Sequence, residues 1–317
     1  MGFHCCYAGK DLKIVYISSL ENKRRDVKTG LPDRKGRTFI FGSPVFFIGK
    51  NFSLFAYVLV QNTFCFAYIL EQKRVCFAYV LKQIALFNIY TLIGGMPEVV
   101  SNYAFDGDIV SLNRVYETML EGYRDDVEKY AKGGVLSDVI RYILTEGWAF
   151  AGQSITLGSF AGSPYKAREV GEAFRTLAKT LLLELVYPTT SASVPLVSDL
   201  KRSPKLLWLD TGLVNYAAGL QKEIFGASDI TDAWRGMIAE QVVGQELLAL
   251  SNKVSQRRHF WMRGKVGSSA EVDFVYLYDS KIIPVEVKSG HNAKLRSIHS
   301  FMDEAPHEWA VRVWRRL

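Results

Sequence analysis

The sequence has few of the residues that build disulfide frameworks or structural metal sites. Its four cysteines, Cys5, Cys6, Cys65 and Cys76, form no CxxC pair and have no histidine at ligand spacing. This pattern argues against a zinc ribbon and favours a reducing compartment. The first ten residues also lack an apolar run and a small-residue cleavage site, so no secretory signal is predicted and a cytoplasmic protein is expected.

A phosphate-binding loop is missing as well. The pattern GxxxxGK[ST] is approached only at Gly49-Lys50, where Asn51 replaces the serine or threonine and Pro44 replaces the first glycine. In such a loop the backbone N–H groups cradle nucleotide phosphates, and the glycines make that approach possible. We therefore expect no ATP binding by this chain.

The composition is that of a globular protein with a moderate positive charge. The 317 residues are 49% hydrophobic and 22% charged, which is enough apolar material for a buried core. At about 100 to 200 residues per domain, the length predicts two or three domains. Lysine and arginine exceed aspartate and glutamate by 39 to 32, a net charge of +7, which favours a polyanionic partner without requiring one.

Residues 1–90 differ in texture from the rest of the chain, and their fold is left open. The segment Phe-Ala-Tyr-(Val/Ile)-Leu recurs three times, beginning at Phe55, Phe66 and Phe77. The uncharged run 52–70 approaches the length of a membrane span, about 20 residues, but it contains polar side chains in or near its middle. We expect buried strands or helices here and no membrane segment.

Residues 91–200 carry the pattern of a helical and winged-helix region. Apolar periodicity predicts helices over 109–131, 136–146 and 165–179. A strand is predicted over 181–187, and 194–197 is expected to return beside it as the second strand of a wing. Helix, turn, helix and wing in this order are typical of a DNA-binding unit.

Basic side chains of this region are candidates for phosphate contacts. Under the winged-helix interpretation they lie on the second helix and in the loop after the wing: Lys166, Arg168, Arg175, Lys179, Lys201, Arg202 and Lys205. The alternative is an ordinary solvated face, because Glu169 and Glu172 interrupt the basic stripe. DNA is the expected partner, and no small-molecule substrate is evident.

Residues 201–317 contain the most informative segment, 270–290, which predicts a β-hairpin around Asp279-Ser280. A two-residue turn pairs Tyr278 with Lys281 and places Asp273 opposite Glu286. Cross-strand neighbours have Cβ atoms about 4.5 to 5.5 Å apart, which is close enough for two carboxylates to hold one divalent cation. We therefore expect Mg²⁺ between Asp273 and Glu286.

Two further residues complete this candidate catalytic set. Lys288 lies two residues beyond Glu286 on the same predicted face, where an amine orients a metal-bound water and stabilises a phosphate. Glu240, on a helix predicted over 234–250, is a candidate third ligand. The alternative is a surface hairpin with ordinary ion pairs, in which Glu271 meets Lys288 and Glu286 meets a nearby base.

Several segments together resemble a prokaryotic family, the domain of unknown function 4143, which normally follows an AAA-type ATP-binding module. The resemblance spans roughly 90–310 and is carried by Gly94–Val100, Tyr123–Tyr130, Ser163–Arg168, Pro204–Leu213, Val243–Leu247 and 270–290. It implies a winged-helix middle and a C-terminal domain similar to the PD-(D/E)XK nucleases, with Glu240, Asp273, Glu286 and Lys288 at the motif positions.

The expected fold class is accordingly mixed α/β, with a helical and winged-helix middle (91–200) and a restriction-endonuclease-like domain (201–317). Residues 1–90 stand where the family carries its ATPase, as a remnant or a replacement. Three functions stay open: an Mg²⁺-dependent nuclease associated with DNA, a non-catalytic module that docks on DNA or on an ATPase acting in trans, and a truncated remnant.

Overall fold

The computed structural model describes residues 12–18, 39–41, 89–131, 134–220, 232–250, 257–264, 270–289, 296–307 and 309–315. The aromatic repeats and the uncharged run 52–70 lie outside these ranges. Within them, no helix combines the length and the hydropathy that crossing a membrane requires.

The described elements mix helices and strands, which confirms the expected α/β class. The helices are α1 (Pro97–Asp106), α2 (Asn113–Asp125), α3 (Val127–Tyr130), α4 (Val135–Glu146), α5 (Ala167–Lys179), α6 (Thr211–Ala217), α7 (Asp232–Ala249) and α8 (Arg296–Met302). The strands are β1 (Leu12–Ser18), β2 (Phe39–Phe41), β3 (Leu183–Val186), β4 (Pro188–Thr189), β5 (Lys205–Trp208), β6 (His259–Met262), β7 (Glu271–Tyr278), β8 (Lys281–Ser289) and β9 (Trp309–Arg315).

The chain divides into two compact units that alternate along the sequence. The helical unit comprises Asn88–Tyr187 and Leu200–Gln245. The sheet unit comprises Pro188–Asp199 and Glu246–Leu317, together with the N-terminal strands. A short segment of the chain therefore leaves the helical unit after β3 and returns before β5.

The core of the helical unit forms because apolar residues recur at helical spacing. Helix α4 buries Val139, Ile140 and Ile143, and α5 buries Val170 and Phe174 against it. The helices predicted over 136–146 and 165–179 are thus confirmed, with ends shifted by one or two residues.

A small antiparallel sheet completes the helical unit. β3 pairs with β5, from Leu183 opposite Trp208 to Val186 opposite Lys205. On its other side β5 bonds to the segment 152–155: Gly152 N–H donates to Leu206, and Leu206 N–H donates to Gln153. Ile155 N–H donates to Pro204, the residue just before β5. The chain order is therefore helix, strand segment, helix, strand, excursion, strand.

The prediction that 194–197 forms the second wing strand was wrong. These residues are not in a strand, and β5 takes that place. Pro195 has no N–H to give to a ladder, whereas all four residues of β5 are buried. The segment before it contributes β4, which pairs in parallel with β6 of the sheet unit.

Seven of the described strands form the sheet of the sheet unit. Their order is β2-β1-β9-β8-β7-β6-β4. The neighbours β8 and β9 are parallel, and β6, β7 and β8 run antiparallel. Helix α8 covers one face, where Ile298 and Phe301 pack on Val275 and Ile282.

The predicted hairpin and its register are confirmed from Tyr278 opposite Lys281 to Phe274 opposite Val285. Asp279 and Ser280 both have positive φ, 46° and 58°, as a type I′ turn requires. Apart from glycine, short polar residues tolerate this conformation best, so the local sequence decided the register.

The strict alternation predicted beyond Phe274 is interrupted by a bulge in β7. On β6, His259 and Trp261 are two residues apart, but their partners Val275 and Val272 are three apart. One extra residue therefore stands in β7 between these partners. As a result Val272 and Val275 both pack against α8, although regular alternation would send them to opposite faces.

Candidate functional site

Helix α5 presents a basic stripe at its surface. Arg168, Arg175 and Lys179 are exposed, and their spacing places them on one side of the helix. Glu172 lies on the same stripe and is also exposed, while Lys166 is exposed at the start of the helix. The predicted candidates on this helix are thus all accessible to a solvent-borne anion.

Glu169, the other glutamate of this helix, binds the backbone at the helix N-terminus. The backbone N–H of Lys166 donates to Oε2 of Glu169 at 2.8 Å, the reciprocal bond of a capping box at the helix start. Glu169 is thus engaged at the cap and lies off the stripe of Arg168, Arg175 and Lys179.

The remaining predicted cations, at the loop before β5, differ in their exposure to solvent. Lys201 is exposed and Arg202 is partly exposed. Lys205 was predicted to lie in this loop, but it is the first residue of β5 and is only 3% exposed. Its Nζ donates to Oε2 of Glu240 at 2.9 Å. Burial and this ion pair remove Lys205 from the candidate phosphate contacts.

The same ion pair changes the interpretation of Glu240. The residue lies on α7, as predicted, and that helix also aligns Gln241 with the backbone of Trp208 through two hydrogen bonds. A carboxylate that already compensates a buried lysine is costly to recruit as a metal ligand, because the lysine would lose its partner.

In the sheet unit, Asp273 is enclosed in the region of the bulge. It is 7% exposed, and its Oδ2 accepts a hydrogen bond from the N–H of Val287 at 2.7 Å. The carboxylate therefore satisfies a backbone donor at the point where the β7–β8 ladder is interrupted.

Glu286 lies one residue before this donor and is 2% exposed. Its neighbour on the parallel strand β9 is Arg312, which is 8% exposed. Burial lowers the pKa of the Arg312 guanidinium, and the negative charge of Glu286 acts in the opposite direction. The backbone of Lys288 continues β8, but its side chain lies outside the described residues.

Asp273 thus accepts from a backbone donor, and Glu286 has a buried arginine as its register neighbour on β9. Across the described part of the chain, no three acidic, histidine or cysteine side chains gather into a metal-binding group. The Mg²⁺ site between Asp273 and Glu286 stays a prediction.

The structure places Asp210, which lies inside the segment Pro204–Leu213, at a junction of several parts of the chain. Its Oδ1 accepts from Leu213 N–H of α6 at 3.1 Å and so caps that helix. Its Oδ2 accepts from Gly95 N–H at 2.6 Å, 115 residues away in the chain. Gln245 of α7 closes the junction by accepting from Thr211 N–H.

Burial raises the pKa of the Asp210 carboxyl, although hydrogen bonds from Gly95, Leu213, Gly212 and Gln245 oppose the shift. The junction admits no larger residues: a Cβ on Gly94 would meet Oδ1 of Asp210 at 2.1 Å, and Gly94 has φ of +73°. The signal was present in the sequence, since Gly94-Gly95 and Asp210-Thr211-Gly212 both carried the family resemblance, but nothing local joined them.

Two family models match separate parts of the chain. Residues 84–224 match a Domain of unknown function (DUF8612), and residues 235–313 match a Domain of unknown function (DUF4143). The resemblance is thus confirmed for the C-terminal part, whereas the segments before residue 225 match a different family. No curated protein and no solved structure matches the chain.

Proposed function

We propose that the protein binds double-stranded DNA through α5 of the helical unit, in the manner of a winged-helix domain, without cleaving it. The observation that carries this proposal is the exposed stripe of Arg168, Arg175 and Lys179 on a helix whose opposite side is buried in the core. Phosphate contacts of this kind supply most of the affinity for a duplex and position the helix on it.

The topology around α5 supports the same proposal. Winged-helix domains place a strand segment between the first helices and follow the recognition helix with two strands. In this chain the segment 152–155, β3 and β5 follow the same order, and β5 pairs with both of the others, which supports the proposal. The departure is the wing itself, because the chain between β3 and β5 contributes β4 to the sheet unit. Helix α5 is therefore assigned the main contact.

Removing positive charges from the stripe and removing its negative charge should change the affinity for DNA in opposite directions. We expect the triple variant Arg168→Gln/Arg175→Gln/Lys179→Gln to lower the slope of log K against log salt by about 0.9 for each phosphate that it no longer neutralises, and its affinity to fall to about a tenth or less. Glu172→Gln should strengthen binding, because it removes a negative charge from the same stripe. The measurement is fluorescence anisotropy of a labelled duplex of about two helical turns, over a salt series.

Arg114 offers a matched control on another helix. It is exposed on α2, so Arg114→Gln removes a surface charge of the same kind away from α5. A loss per removed charge that is as large in the control as in the triple variant would assign binding to net charge alone, and an unchanged affinity of the triple variant would contradict the proposal outright.

We do not propose DNA cleavage, because the carboxylates of Asp273 and Glu286 are buried and Glu240 forms an ion pair with Lys205. We expect supercoiled plasmid to remain intact after incubation with the purified chain and Mg²⁺. Agarose electrophoresis checks this. Nicking that disappears in Asp273→Ala and Lys288→Ala, while both variants still bind duplex, would instead establish the metal-dependent nuclease.

A further inference from the structure

The sheet face that contains Glu286 is a closed interior surface. Side chains alternate along β8, so Glu286 shares the face of Ile282. By the same alternation Arg312 shares the face of Ala310 on β9. Both Ile282 and Ala310 belong to the apolar cluster that α8 covers. The two charges therefore lie next to each other in an apolar layer.

Glu286 and Arg312 are placed so that each can compensate the buried charge of the other. Glu286 and Arg312 are direct partners in the register of two parallel strands, whose axes are about 4.8 Å apart. A buried carboxylate is costly unless an opposite charge or several donors accompany it. A buried guanidinium keeps its charge, because arginine does not deprotonate in proteins. Each group thus offsets the cost of burying the other.

The donor set beside this pair does not suit a divalent ion. Oδ2 of Asp273 accepts a hydrogen bond from the Val287 N–H, so one of its two oxygens already has a backbone partner. An ion near Glu286 would also stand close to the fixed positive charge of Arg312, and like charges in a low-dielectric layer repel strongly. A divalent ion at Glu286 would therefore compete with a positive charge that the strand register already places beside it.

We propose that Arg312 supplies to the Glu286 carboxylate the positive charge that a divalent cation would supply in a nuclease site, so that this layer of the sheet unit is complete without metal. The proposal concerns the sheet unit and is independent of DNA binding by α5. It predicts that the site acquires metal affinity when the guanidinium is removed.

Manganese binding by the full chain tests this directly, with free Mn²⁺ measured by electron paramagnetic resonance. Arg312→Met should bind Mn²⁺ at least tenfold more tightly than the parent, by roughly one pK unit of interaction with a neighbouring charge. Arg312→Lys keeps the charge and should behave as the parent. The gain should disappear in Arg312→Met/Glu286→Gln. A Mn²⁺ site in the parent that Glu286→Gln abolishes would overturn the proposal.

Two measurements on stability do not depend on that gain. Dialysis of the parent against EDTA should leave its melting temperature unchanged, and a drop that Mn²⁺ reverses would overturn the proposal without any variant. In a double-mutant cycle in EDTA, Glu286→Gln and Arg312→Met should each destabilise the fold. The double variant should be more stable than the sum of the two effects predicts, by about tenfold in the unfolding constant. Additive effects would show that the two charges do not compensate each other.

Discussion

Replacing Asp210 by alanine should lower the free energy of unfolding of the helical unit by about 3 to 5 kcal/mol, a large part of the stability of a domain of this size. The Asp210 carboxylate is 2% exposed and accepts from the N–H groups of Gly95 and Leu213. Alanine leaves the N–H of Leu213 buried without an acceptor, at about 1 to 3 kcal/mol, breaks the partly buried hydrogen bond from Gly95, and also removes the cap of α6.

Asp108 provides a matched control for this substitution. Its carboxylate also accepts from backbone N–H groups, those of Val110 and Ser111, but it is exposed. Water replaces the missing acceptor there, so Asp108→Ala should cost only about 0.5 to 1 kcal/mol. Urea denaturation followed by far-UV circular dichroism measures both. Similar losses in the two variants would show that burial of the junction contributes nothing.

The contribution of Asp210 to the stability of the fold should fall as the pH rises. Burial raises the pKa of this carboxyl above its ordinary value of 3.8, so the folded state holds the proton more tightly than the unfolded state. Its contribution is therefore greatest below pH 3.8 and falls as the pH rises through the folded-state pKa. Asp210→Asn should lack this component, so the stability of the parent relative to this variant should decline over that window.

Gly212→Ala should be at least as damaging, with an expected loss above about 4 kcal/mol or failure of the helical unit to fold. A Cβ at this position would lie 2.0 Å from the carbonyl oxygen of Ile93 and 2.4 Å from its carbonyl carbon. Both atoms belong to the backbone, so no side-chain rotation relieves the overlap. The segment that carries Gly95 to Asp210 would have to move, and the hydrogen bond between them would break.

Gly122 on α2 provides the opposite case. It lies within a helix, and a Cβ there would meet nothing within 4 Å. Gly122→Ala should therefore stabilise the protein by about 0.5 to 1 kcal/mol, because alanine loses less backbone entropy in a helix. The same denaturation experiment compares the two glycines. Tolerance of alanine at Gly212 would mean that the approach of Ile93 to α6 is looser than the structure indicates.

The elements around α5 and the hairpin show which parts of the fold can be predicted from local sequence patterns. Apolar spacing identified α4 and α5 because each helix must bury one side, and this requirement is written into neighbouring residues. Asp279-Ser280 identified the turn, and the turn fixed the register as far as Phe274. Beyond that point the prediction of strict alternation was wrong, because the bulge depends on how β6 pairs with β7.

The candidate sites divide in the same way. The exposed cations of α5 followed from helical periodicity. Lys205 was misplaced because its burial depends on Glu240, 35 residues further along the chain, and no local signal links the two. Arg312 was not considered for the carboxylate site, although it is adjacent to Glu286 across the sheet.

The amino-acid sequence alone determined helices α4 and α5 and the hairpin turn, because periodicity and turn chemistry act between near neighbours in the chain. Only the tertiary structure decided which charges meet. Parallel strand pairing brought Arg312 beside Glu286, and packing of distant segments brought Gly95 to Asp210. Such partners are chosen by the burial of whole faces, which no short stretch of sequence specifies.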